Sequence, residues 1–505
     1  MKVILILGFL FSIVQLGYTQ QSRVINFGRT DQSVIGWDGL IDNNGNHIFG
    51  FSADDHNGIA FIDANYNTIW TKNIGDAGAR QVIQLENGKY INIGGEEIFS
   101  FDSVGTVIWS KRMPNYSSFN EILELDANNI IVSFRESGQS GIMSIDFDGN
   151  INWTKQILNP FGFELGIANI FILNDGNFGL ITGIRESANV TKLLLSKIDI
   201  LGNVIWQNFY QSTSHEIGIS KGYHASNDDI YLVGHGLSND TTTTELKDMI
   251  VLRLDNNGTY ITGGQYGYTF DDDGYDIKED KNNNFLVLGN SKPSLICGGN
   301  LSILCINSNL DTLYTKHYGT QNADGAYYRY LRKRNDDFYS YGYGSLWTSI
   351  NDYTDCHVIK ADENFELDCF KYQQTLNVNS FTDFQFSNSS VNYQNHTIIF
   401  TDSLVESTSF IQTADACTGE LLNIENTEQN NFNIYPNPSN GVVTIEFKSI
   451  ESNIRIIITD ITGKIVGTYR VDQSSLTTVD VRAYPEGIYF VNTTDYPKAK
   501  MLIID

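Results

Sequence analysis

From residue 21 to about residue 420 one pattern returns: a strand-like run ends in an acidic residue, a turn follows, and a large side chain lands seven positions on. The copies read FIDANYNTIWTK, SFDSVGTVIWSK, SIDFDGNINWTK, KIDILGNVIWQN, RLDNNGTYITGG, CINSNLDTLYTK and KADENFELDCFK. In the first four, Asp63, Asp102, Asp146 and Asp199 precede Trp70, Trp109, Trp153 and Trp206; the later copies hold Thr262, Tyr314 and Cys369 at that place. The anchors lie 39 to 56 residues apart. A repeat of about 40–50 residues built only from strand-like segments cannot shield its own apolar face. It does so by stacking on copies of itself, as the blades of a β-propeller do.

Each copy offers four strands. One example covers 167–173, 178–183, 192–199 and 203–209, with the alternation expected of strands that cover a neighbouring blade. Asp148-Gly149 and Asn257-Gly258 suit hairpin turns that take φ > 0 at two successive residues. Only 7 Pro occur, in keeping with many central strands. Trp70, Trp109, Trp153, Trp206 and Tyr314 recur at one strand position, which reads as blade-core aromatic packing. Fourth strands end in an apolar residue plus Gly (Ile74-Gly75, Tyr266-Gly267, Tyr318-Gly319), and Phe27-Gly28 has this ending before any full copy. Residues 24–27 are therefore expected to complete the last copy, about 384–415, and so remove the open sheet edge. The ring so formed has eight blades, with seven as the alternative. These copies resemble those of secreted bacterial repeat propellers.

Composition narrows the setting. Hydrophobic residues make up 41% and aromatics 12%, enough for a packed core. The net charge of −26 repels phosphate backbones and anionic lipid, which argues against nucleic acid or a membrane surface as partner. Met1-Lys2, an apolar run over 3–14 and small residues to Thr19 have the layout of a signal peptide, 1–19, too short to span a membrane. Five cysteines cannot all pair within the chain. Cys297 with Cys305 and Cys356 with Cys369 are plausible disulfides, and buried thiols are the alternative.

After the propeller, 20–420, a polar linker follows over 421–431, and the character changes at 432–505. About six short strands separated by turn signals suffice for a small Ig-like β-sandwich. Pro436 and Pro438 favour an extended entry strand, and Gly463 and Gly487 permit tight local backbone. Four ordered segments carry a family resemblance: Asn433 to Gly441 with Tyr435, Pro436, Asn437 and Pro438; Ile458 to Lys464 with Asp460 and Gly463; Pro485 to Val491 with Gly487 and Tyr489; and the final strand. They resemble the type A C-terminal sorting domain of the type IX secretion system. The resemblance implies that this machinery is the partner of the domain. It also implies a route through the periplasm to the cell surface or the medium.

Catalytic spacings are scarce. His215-Glu216 lacks the second His of a zincin helix, Gly138 to Gly141 lacks nucleophile-elbow spacing, and no phosphate or dinucleotide loop occurs. The densest acidic run, Asp271-Asp272-Asp273-Gly274-Tyr275-Asp276, offers oxygens for calcium or is a solvated loop between blades; no other cofactor is indicated. The expectation is an all-β exported protein whose propeller binds a glycan or protein, or acts in adhesion, without catalysis. The alternative is a hydrolase or lyase of polysaccharide, which needs His and carboxylates gathered at one mouth of the ring.

Overall fold

The computed structural model describes residues 23–504 except 29–32, 54–55, 76–77, 114–116, 127, 162–165, 167–168, 188–189, 213–214, 239–246, 269, 293–298, 320–325, 336, 345–354, 363, 368–370, 373–375, 381–383, 389–390, 396–406, 409–411, 416–420, 424–431, 452–453, 461–463, 472–473 and 494–499. Every described element is a strand or a turn, and none of these residues forms a helix able to cross a membrane. The chain divides at residue 424 into two compact units.

The first unit is a ring of seven four-stranded antiparallel blades: 34–75, 81–112, 117–158, 169–212, 215–267, 272–318, and 326–361 joined by the N-terminal strand Arg23–Gly28. Innermost strands meet their neighbours all the way round, including Val34–Ile41 against Ala326–Arg334, which shuts the ring. Arg23–Gly28 pairs with Asp355–Ala361 as the fourth strand of blade 7, with Ile25 and Phe27 fully buried.

The eight-blade count is corrected to seven. The described residues of 384–415 build no blade of their own; they belong to a belt that lays fifth strands on the outer edges of existing blades. Lys371–Tyr372 pairs with blade 6, Asn377–Ser380 with blade 5, Phe384–Asn388 with blade 4, Asn392–Asn395 with blade 3 and Ser407–Thr408 with blade 1. Gln412–Asp415 then pairs with Arg23–Gly28, so the N-terminal strand is held on both sides. Short runs split by Asn, Ser and Asp look like the strands of one blade, yet each finds its partner on a different one.

The repeated acidic residue is the hub of the hairpin between third and fourth strands in blades 1 to 5, and Asn307 takes its place in blade 6. The Asp146 carboxylate accepts the amides of Asp148 at 3.0 Å and Asn150 at 2.8 Å, and Asp63, Asp102, Asp199 and Asp255 do the same. The expected pair of φ > 0 residues is corrected to one: Gly149 has φ 78° and Gly258 φ 78°, while Asp148 and Asn257 are not left-handed. A register shift in each ladder absorbs the difference, as in a turn that ends in a bulge. The glycine also faces the half-buried Trp of the preceding blade. A Cβ built on Gly105, Gly149, Gly202 or Gly258 would meet the ring of Trp70, Trp109, Trp153 or Trp206 at 2.6–3.2 Å. The indole N–H groups of Trp70, Trp109 and Trp153 donate to Ser103, Phe147 and Ile200 carbonyls in those next turns. From blade 4 onward tyrosine takes over, with Tyr210, Tyr266 and Tyr318 donating to the carbonyls of Gly258, Leu310 and Phe365. Tyr314 lies half-buried on blade 6 with the Lys316 ammonium 4.9 Å from its ring.

Cys305 and Cys356 are buried thiols rather than halves of disulfides, which corrects the pairing expected for each. Cys297, Cys369 and Cys417 lie outside the described residues, as does the leader.

The second unit is a sandwich of a three-stranded sheet (Phe432–Tyr435, Val442–Glu451, Ser474–Asp480) and a four-stranded sheet (Ile465–Val471, Ile454–Asp460, Gly487–Thr493, Lys500–Ile504). Val443, Ile445, Ile456, Ile458, Val479 and Val491 fill the space between them.

Candidate functional site

The innermost strands of blades 1, 3, 5, 6 and 7 each carry a β-bulge at the same place. A bulge re-aims the side chain beside it, and here it sets Asp38, Glu121, Lys221 and Asp276 at one level of the axis, with Gln81 and Asn169 at the equivalent places of blades 2 and 4. Gln81 accepts the amide of Ile122 at 2.8 Å, Glu121 that of Ile170 at 2.8 Å, and Asp276 that of Leu331 at 2.9 Å. Each side chain thus stitches its blade to the next.

Two residues further along, the same strands hold Leu40, Ile83, Leu123, Phe171, Tyr223, Lys278 and Arg332. All seven, with Gln81, Glu121 and Lys221 of the level below, line a funnel of about 680 Å³. Its wall is apolar from blade 1 to blade 5 and basic on blades 6 and 7. Glu86 and Glu124 stand at the rim.

The floor is a closed set of opposite charges. Arg332 Nη2 donates to both Asp38 oxygens at 2.7 and 2.5 Å, and Arg332 Nη1 lies 3.6 Å from Asp276. Lys278 Nζ reaches Asp276 Oδ1 at 3.0 Å and sits 5.4 Å from the centre of the Tyr223 ring. Lys221 pairs with Glu121 across the axis. Burial pushes Asp38 up to about 6 against the pull of Arg332, and pushes Lys221 down to about 8. For Asp276 burial is outweighed by Lys278, Lys221 and Arg332, which hold its carboxyl below the usual range. No run of sequence announces this network. Its members are spread over the first strands of five blades, and the only signal is their shared register there.

The acidic run 271–276 is not a loop, which corrects that reading. Asp272–Glu279 is the innermost strand of blade 6, and its carboxylates face four surroundings. Asp271 pairs with Lys292 at 2.5 Å, and Asp276 joins the funnel floor. Asp272 is buried, accepts the Tyr268 amide at 2.7 Å and is pushed up to about 8 by burial. Asp273 lies 3.1 Å from His235 Nδ1; burial works against its charge, but His235, Lys247 and Lys292 hold it below the usual range. Among the described residues, no three His, Cys, Asp or Glu are grouped to hold a metal. His47, His317 and His357 are buried within blades, and the side chains of His56, His215 and His396 lie outside the described residues.

In the sandwich the motif residues tie strand ends together. The entry strand stops at Tyr435, and Pro436 and Pro438 fall in the bend beyond it, a correction to the extended reading of both prolines. A proline offers no N–H for continued pairing, so the strand ends there. Asn437 Oδ1 accepts the Ile503 amide at 2.8 Å and Ser439 donates its amide to the Ile503 carbonyl at 2.9 Å, fastening this bend to the last strand. The Gly441 carbonyl accepts the Val481 amide. Asp460 and Lys464 close a hairpin through two hydrogen bonds of 3.0 and 3.1 Å. Tyr489 is buried, and its hydroxyl donates to Pro485 at 2.7 Å. Gly487 takes φ 153°. Gly463 lies outside the described residues.

These features define a propeller protein with an appended β-sandwich. Residues 433–505 match the family described as "Secretion system C-terminal sorting domain". The chain therefore carries a type IX sorting domain, and this is an exported protein of the cell surface or extracellular space. No curated protein matches the chain. Among solved structures it is similar to a Bacteroides caccae protein of unknown function (12% identity, TM-score 0.36, covering 56% of this chain and 91% of that one). It is also similar to PorZ, a surface component of the type-IX secretion system of Porphyromonas gingivalis (12%, 0.39, 93% and 59%), and to puromycin hydrolase (8%, 0.45, 68% and 54%).

Proposed function

We propose that the propeller is a non-catalytic binding or adhesion module presented outside the cell, and that the funnel seats its ligand, a glycan or a protein segment. The supporting observation is the make-up of the funnel. An apolar arc faces a basic arc whose Lys278 and Arg332 are committed to Asp276 and Asp38, while Lys221 is committed to Glu121. Substituting one partner of a buried pair costs about 3–5 kcal/mol, so the paired groups hold one another in place. A fixed array of this kind suits the orienting of a ligand. The test uses the full secreted chain on arrays of oligosaccharides and peptides, followed by titration and product analysis. Saturable binding without turnover, weakened at least tenfold by Tyr223→Ala, supports the reading; turnover of a funnel-bound ligand overturns it.

A second reading, a hydrolase or lyase of polysaccharide, is favoured by the His235–Asp273 pair, which lies outside the residues that line the funnel. Polysaccharide cleavage that disappears in His235→Ala would establish it.

A further inference from the structure

We propose that the sandwich docks on the secretion machinery through the outer face of its four-stranded sheet. The component it meets there presents an apolar surface with an acidic rim. The proposal rests on the sorting-domain assignment and adds the face and the chemistry of the partner.

Strand alternation divides the sheet. Ile456, Ile458, Tyr489 and Val491 turn inward and are buried. The outward positions are apolar at one end: Ile465 is 59% exposed, Ile488 44% and Phe490 38%. The ladder makes these one patch, because Thr459 pairs with both Ile465 and Phe490, and Ile488 pairs with Ile503. At the other end Arg455 and Arg470 stand directly opposite each other, both exposed. Two guanidinium groups side by side on an exposed sheet face suit an anionic partner. None of the described outward positions of this sheet holds an Asp or Glu.

The opposite face differs. On the three-stranded sheet the exposed apolar residues Val442 and Leu476 each face an acid, Asp480 and Glu446, across the ladder. The propeller differs again. Residues 432–505 hold 7 Lys and Arg against 8 Asp and Glu, so nearly all of the net charge of −26 belongs to the rest of the chain. Exposed apolar residues of the propeller, such as Ile69, Ile108, Ile205, Ile261 and Leu313, come one per blade at the start of the fourth strand. A receptor that must choose the tail over an acidic cargo gains selectivity by reading an apolar patch flanked by arginines.

The test uses the full chain in a bacterium with active type IX secretion, measured as the fraction of protein outside the cell. Two variants alter the face at exposed positions, so folding is preserved: Ile465→Thr with Ile488→Thr and Phe490→Thr, and Arg455→Glu with Arg470→Glu. Export is expected to fall at least tenfold in each, with the retained protein as protease-resistant as wild type. Val442→Thr with Leu476→Thr, on the other sheet, is expected to change export less than twofold. Normal export of both face variants, or an equal loss in the control, overturns the proposal. A photocrosslinker at position 490 is expected to capture a protein of the machinery; capture of lipid alone overturns it in favour of a membrane surface. Deletion of 432–505 separates the two levels: if the truncated chain still leaves the cell, the sorting reading itself fails.

Discussion

The glycines of the repeated hairpins carry two burdens that substitution can separate. Gly88 and Gly176 have φ of 80° and 81° with open space where a Cβ would sit. Gly149 has φ 78°, but its Cβ would lie 2.9–3.0 Å from three carbons of the Trp109 ring. All three pay for a left-handed alanine, about 1–2 kcal/mol. Only Gly149→Ala must also displace an indole whose N–H is fixed at 2.8 Å to the Phe147 carbonyl. Overpacking adds about 1–3 kcal/mol, and loss of the hydrogen bond about 1 kcal/mol. The expected cost is therefore about 3–6 kcal/mol for Gly149→Ala against about 1–2 kcal/mol for Gly88→Ala and Gly176→Ala. Gly202→Ala, with its nearest contact at 3.1 Å, falls between them, and Gly258→Ala, at 2.6 Å from Trp206, costs most. Guanidinium unfolding followed by circular dichroism reads these differences. If Gly149→Ala and Gly88→Ala agree within about 0.5 kcal/mol, the indole does not bear on the turn and the account of how blades are joined is wrong. A cycle with Trp109→Ala should show coupling, since removing the ring removes the clash.

Other consequences can be measured alongside. Lys221→Met leaves Glu121 without its cation and should cost about 3–5 kcal/mol, much of it recovered by adding Glu121→Gln. Burial lowers His357 to about 3, so stability present above its unfolded value near 6.5 is lost as pH falls toward 3. From pH 7 to pH 5, wild type should therefore lose about 2 kcal/mol more than His357→Gln. Asp272 acts in the opposite sense: raised to about 8, it is most favourable below its unfolded value near 4 and loses that contribution as pH climbs to 8, so Asp272→Asn should gain on wild type between pH 5 and 8 in thermal melts. Phe27→Ala, in the strand that shuts the ring, should cost about 3–5 kcal/mol and expose blade 7 to limited proteolysis.

Much of this architecture can be read from sequence because repetition amplifies weak signals. Four Asp-to-Trp copies expose the hairpin, and Phe27-Gly28 matches the fourth-strand ending of Tyr266-Gly267 closely enough to mark it as the closing strand. The blade that it closes was not legible. The seventh copy, KADENFELDCFK, looks complete, yet the chain turns at Phe365 and its fourth place is filled from the N-terminus. Segments such as Phe384–Asn388 satisfy their backbone on strands about 180 residues earlier, and local pattern says nothing of a partner so far away. The funnel was hidden for a similar reason. Asp38, Glu121, Lys221 and Asp276 share no neighbours in sequence, and the ring alone brings Asp38 and Asp276 to Arg332 and Glu121 to Lys221. Within the acidic run, strand alternation outweighed composition, and the run had the look of a loop only because four carboxylates stood together. The sorting domain was the most legible part, since several of its motif residues act through local ties such as Asp460 to Lys464 and Tyr489 to Pro485.

The belt travels against the order of the blades, and Gln412–Asp415 lies between the N-terminal strand on one side and Leu421–Asn423 on the other. A pull on the C-terminal end would therefore load the ladder between Leu421–Asn423 and Gln412–Asp415 first, and next the ring's clasp, Gln412–Asp415 on Arg23–Gly28. Two short ladders in series thus stand between the tail and the strand that shuts the ring.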